Sequence, residues 1–125
     1  MMTFEQKKEH QLTGENIITI GMFDQDSKRQ ELTKSDYLNV IESEICKRGF
    51  CATILTDGIW GIYRHDDGTV VKEPSIRVEL CGLTRREVLP MIRVFREKFN
   101  QESILYRFTP DQIFDLVNID YGDDD

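Results

Sequence analysis

Apolar and polar positions alternate from Asn16 to Phe23, "NIITIGMF", and the β-branched content of this run predicts a strand that ends in the polar turn "DQDSKRQ". The period then lengthens. Tyr37, Leu38, Ile41 and Ile45 recur at helical spacing, with Val40 widening the buried stripe. Thr33 and Asp36 stand where a near capping box opens that helix, and Gly49 after Lys47 and Arg48 closes it. Strand character returns at Phe50 in "FCATIL", "IWGIYRH" and "TVVKEPSIRVEL", which are separated by Asp57-Gly58 and Asp67-Gly68. The second Asp-Gly predicts a two-residue hairpin turn with positive φ at both central positions. Pro74 has no N–H to give a ladder, so a bulge or a sheet edge is expected between Glu73 and Ser75. Beyond it Ile76, Val78 and Leu80 face one way, and Arg77 and Glu79 the other.

Thr84 and Glu87 have the spacing of a full capping box, and Val88, Ile92, Phe95 and Phe99 continue one helical face. Pro90 is expected to kink the first turns. "SILYRF" predicts a last strand, and Thr109-Pro110-Asp111-Gln112 the start of a short terminal helix that buries Ile113, Phe114, Leu116 and Val117. The order β-α-β-β-α-β predicts an α+β, ferredoxin-like fold: an antiparallel sheet with two helices on one face and a protruding β-hairpin arm. The other face stays open for a ligand, a partner or a second copy. A single domain over residues 16–119 is expected, between a flexible polar leader at 1–15 and an acidic tail at 120–125.

Charge alters this picture little. The net charge is -7, and removing the negatives of Asp120, Asp123, Asp124 and Asp125 leaves -3 on the rest. A nearly balanced body lacks the basic footprint of a phosphate-backbone binder, which argues against general nucleic-acid binding. The tail reads as a solvated end, or as a nucleic-acid mimic or a contact for a basic partner. Cys46, Cys51 and Cys81 are odd in number and form no C-x-x-C pair, so no disulfide framework or zinc site is expected. No apolar run has membrane-spanning length, and a cytoplasmic protein is expected.

Candidate chemistry concentrates between Trp60 and Leu80. His65, Asp66 and Asp67 could suggest an acid-base pair or metal ligands. Neighbouring strand residues point to opposite faces, however, so the triplet reads as a decorated turn. Arg64, Lys72 and Arg77 beside the aromatics Trp60 and Tyr63 have the character of a site that holds an anion and stacks a base, or of a protein interface. Arg85 and Arg86 fall at a helix N-terminus, where free N–H groups favour anions. His10 and His65 are the only histidines, and no hydrolase, phosphate-loop, zinc-protease or dinucleotide motif is present.

The segments "IGMFDQDSKRQEL", "GIYRHDDGTVVKEPSIRVEL" and "FNQESILY" resemble small ferredoxin-like proteins of bacteria and their phages, over roughly residues 17–106. The resemblance implies the fold, and a phage accessory or counter-defence role in which some such proteins sequester nucleotide signals. Together these readings lead to the expectation of a non-enzymatic binding module without a cofactor. It would self-associate through its sheet or arm and hold a small anionic, nucleotide-like ligand with Trp60, Tyr63, Arg64, Lys72, Arg77, Arg85 and Arg86. The alternative is an inhibitor or adaptor that grips a protein partner with its open sheet face and acidic tail. Trp60 and Ile62 are too apolar to stand in water on a two-stranded ribbon, so at least a dimer is expected, with Trp60 at the contact.

Overall fold

Isoleucines on alternate positions of the first strand start the core. In the computed structural model, which describes residues 12–111, strand β1 spans Thr13–Gly21 and buries Ile18 and Ile20 completely. It is followed by helix α1 (Lys34–Arg48), β2 (Thr53–Leu55), β3 (Trp60–Arg64), β4 (Val70–Thr84), α2 (Arg85–Lys98) and β5 (Leu105–Pro110). The sheet order is β2-β4-β1-β5, with β3 added along the first part of β4, and every pairing is antiparallel. This is the expected ferredoxin-like α+β fold.

Register decides which side chains meet. Ile20 pairs with Ile76 and Ile18 with Val78, so these residues share one face with Leu80. Both helices pack there, through Tyr37, Ile41 and Ile45 of α1 and Val88, Met91, Ile92 and Phe95 of α2. Burying each such aliphatic side chain contributes about 1.5–3 kcal/mol, which makes this layer the main source of stability. Thr19 pairs with Arg77 and Leu105, placing these on the opposite face, where Leu105 is 61% exposed.

Both helices begin as their sequences require. The Thr33 hydroxyl accepts from the Asp36 N–H at 3.1 Å while the Asp36 carboxylate accepts from the Thr33 N–H at 2.9 Å, a complete capping box. Thr84 and Glu87 repeat it in α2 at 3.2 and 3.0 Å. The helix runs on through Pro90, which lies on its exposed side and forgoes one backbone bond.

Several boundaries differ from expectation. Strand β1 already starts at Thr13, inside the expected leader, because the buried Asn16 side chain donates to the Gly14 and Leu83 carbonyls and fastens a bulge there. The hairpin loop is longer than two residues: the His65 N–H bonds the Thr69 carbonyl at 2.8 Å and the Gly68 N–H bonds the His65 carbonyl at 2.9 Å. Only Gly68, with φ of 87°, takes the left-handed conformation, as three-residue hairpin loops require. At Pro74 the expected alternative of a sheet edge is what forms, without a bulge. There β4 stops pairing with β1 and continues with β3 alone, and the Pro74 carbonyl accepts from Met22 N–H at 3.0 Å. Thr109 and Pro110 end β5 instead of opening a helix, since they pair with Glu15 and Gly14. The rest of the expected terminal helix, the acidic tail and His10 lie outside the described residues.

Candidate functional site

Where β4 leaves β1, the arm, the end of β1 and the segment before β5 enclose a cleft of about 420 Å³. Its floor is set by a glycine. Gly21 pairs with Ser75, and Glu73, two residues further along β4, turns to the same face. A Cβ on Gly21 would lie 2.4 Å from Glu73 Oε1, so only glycine lets this carboxylate lie down against β1. Glu73 is 4% exposed, and its Oε2 accepts from the Phe23 N–H at 2.8 Å. Burial raises its pKa above the ordinary carboxylate value, opposed by the Phe23 hydrogen bond and by nearby His65. Among the described residues no cation is paired with it. On the helix side of the strand, Tyr37 donates to the Met22 carbonyl at 3.2 Å, and its phenol is pushed up to about 12, first by burial and then by Glu73 and Asp24.

The arm supplies one wall. Tyr63 pairs with Val71, and its ring lies back over Gly61, where an added Cβ would meet the ring at 2.1 Å. His65 is nine-tenths buried at the loop; its Nδ1 lies 3.3 Å from Glu102 Oε2, and its Nε2 is buried without a hydrogen-bond partner among the described residues. The opposite wall, around Gln101 and Glu102, is fastened by amides. Gln101 Nε2 donates to the Phe23 and Phe99 carbonyls at 2.9 and 3.1 Å. Asn100, at φ of 46°, donates to Asp24 at 2.8 Å and Asp26 at 2.9 Å, and the first of these bonds lowers the Asp24 pKa. The cleft thus carries two carboxylates, an imidazole and the aromatic residues Phe23 and Tyr63, with Arg64 at its side. Such a lining suits a cationic centre or a proton transfer better than an anion.

The seven residues singled out from sequence do not converge. Tyr63 and Arg64 line the cleft. Trp60 and Lys72 alternate to the other face of the arm, where Lys72 Nζ sits 5.2 Å from the Trp60 ring centroid. Arg77 lies beside Glu79, Nε to Oε2 at 3.3 Å, on the open sheet face. Arg85 and Arg86 are at the start of α2, the whole length of the β1–β4 ladder away, and Arg85 stacks 5.9 Å from the Tyr106 ring. The anion site drawn from these residues is therefore four separate places. His65 is more than a decorated turn, because the three-residue loop turns its ring inward. Glu102 and the role of Gly21 were not anticipated. Glu73 carried no signal, because it shares the strand phase of Arg77 and Glu79, which alternation reads as facing away from the core.

Cys46, Cys51 and Cys81 are free and exposed. Among the described residues, no helix is long and apolar enough to cross a membrane, and no group of three or more His, Cys, Asp or Glu could hold a metal ion.

The sequence matches no protein-family model and no curated protein. Solved structures do match in shape. A phage SAM lyase in complex with S-methyl-5'-thioadenosine superposes with a TM-score of 0.62 at 20% identity, over 78% of this chain and 81% of that one. A phage SAM lyase in the apo state gives 0.55 at 18%, over 82% and 94%. CutA1 from Oryza sativa gives 0.53 at 12%, over 88% of each chain. These likenesses show the fold. They also correct the expectation of a module without enzymatic activity, since two of the three structures are of an enzyme.

Proposed function

We propose that the protein is a phage accessory enzyme that takes a sulfonium nucleoside of the S-adenosylmethionine kind into the cleft and cleaves it to a 5'-thioadenosine. The observation that carries this reading is Glu73, a buried carboxylate with a raised pKa and no paired cation among the described residues, held in the cleft wall by Gly21 and the Phe23 N–H. A desolvated carboxylate gains much by meeting a positive centre, and the Tyr63 ring adds an electron-rich face for the sulfonium or the base. Likeness in fold to the phage SAM lyase that holds S-methyl-5'-thioadenosine supports the same reading.

The chemistry needs no co-reactant. When the bond from sulfur to the amino-acid chain breaks, its electron pair stays on sulfur and the cation becomes a neutral thioether. The departing chain either closes on its own carboxylate or gives up a proton. For the second route Glu73 is the base, because burial has raised its affinity for protons. A counter-defence role follows from removal of the methyl donor instead of sequestration of a nucleotide signal.

Self-association belongs to the same proposal. Trp60, Ile62 and Val70 are 58%, 73% and 55% exposed on the arm, too much apolar surface for a two-stranded ribbon in water. A second copy is the proposed cover.

Incubation with S-adenosylmethionine, followed by chromatography for S-methyl-5'-thioadenosine, tests the activity. The wild-type protein should release it, and Glu73→Gln should be slower by about 10²–10⁴-fold. Absence of product from the wild-type protein between pH 5 and 9 would refute the proposal.

A further inference from the structure

We infer that His65 is a positioning residue that presents Glu102 to the cleft and ties the arm to the segment ahead of β5. Both side chains line the cleft with Glu73, yet they come from elements that share no ladder: His65 from the β3–β4 loop and Glu102 from the stretch between α2 and β5. Their 3.3 Å contact, Nδ1 to Oε2, is the side-chain hydrogen bond that joins these two walls. A carboxylate only accepts, so Nδ1 carries the proton.

The anchoring is one-sided. His65 is fixed at its backbone by bonds with Thr69 and Gly68, so its ring projects from a set point of the loop. The ring is nine-tenths buried, and among the described residues Nε2 has no partner, which leaves Nδ1 as its polar anchor there. Glu102 is the freer partner at 31% exposed, and the contact therefore orders Glu102 more than it orders His65. With Glu102 held, the cleft presents carboxylates on two walls, Glu73 from below and Glu102 from the side. This use of the contact rests on the proposed reading of the cleft, whereas the contact between the walls does not.

Two isosteres separate the ring nitrogens. Asn at position 65 can place its amide N–H near the site of Nδ1, and Gln reaches towards the site of Nε2. In the full chain, His65→Gln should raise KM for S-adenosylmethionine about fivefold with kcat within about twofold, the loss expected for one hydrogen bond that positions a binding group. His65→Asn should restore KM. Hydrogen exchange over residues 101–104 should quicken in His65→Gln and return to the wild-type rate in His65→Asn. Equal behaviour of the two variants, or unchanged exchange in His65→Gln, would overturn the inference. If the wild-type protein neither turns over S-adenosylmethionine nor binds S-methyl-5'-thioadenosine by calorimetry, the proposed function fails, and the exchange comparison alone decides the role of His65.

Discussion

Glu73 is where stability and activity pull apart at the scale of one residue. Its folded pKa is raised by burial, so the folded state holds the proton more tightly than the unfolded chain does, and the ionised form costs stability. That cost is fully present above the folded pKa and fades as pH falls towards the ordinary glutamate value of 4.5. Glu73→Gln should therefore melt higher than the wild type at pH 7 to 8, because the amide oxygen still accepts from the Phe23 N–H. The gap in Tm should close near pH 4.5, and a constant or inverted gap across a pH series of melting curves would contradict this account. Gly21→Ala tests the same carboxylate from the other side. The new methyl group would occupy the place of Glu73 Oε1, so turnover should fall at least about tenfold while the far-UV spectrum stays that of the wild type.

Helices and strands were legible in proportion to how local their signals are. Both capping boxes are settled within four residues, and both form. Thr84→Ala, which takes from the Glu87 N–H its hydroxyl partner, should cost about 1 kcal/mol in urea unfolding with an unchanged m-value. Phe95→Ala, in the same helix but wholly buried, should cost about 3–5 kcal/mol. Strand ends were less legible, because a ladder stops where its partner stops. Thr13 joins β1 only because Thr84 and the Asn16 bulge are there to receive it, and Pro110 is strand because Gly14 lies opposite. Likewise Asp67-Gly68 carried a turn signal, but the register of His65 against Thr69 set the loop at three residues.

For the whole molecule, the arm poses the question of what covers it. β3 pairs only with the first part of β4, and the face with Trp60 and Ile62 extends beyond the helices that bury the rest of that side of the sheet. Under the proposal of self-association, light scattering should give a mass at least twice that of one chain at micromolar concentration. Trp60→Glu should lower the mass and leave the melting of the core intact. A wild-type protein that scatters as a single chain would sink this part of the proposal.

The sequence by itself determined the order of elements, the face of each helix that is buried and the ferredoxin-like fold, because period, caps and turn residues act over a few positions. Tertiary structure alone decided the cleft. Glu73, Glu102, His65 and Gly21 come from different segments of the chain, and each looks ordinary where it stands. They meet because β4 is long enough to pair first with β3 and then with β1, and because Asn100 and Gln101 fasten the segment before β5 against the loop after β1. The arginines that drew notice in the sequence were scattered by the same registers, since alternation along a strand puts Trp60 and Lys72 on the face opposite Tyr63 and Glu73.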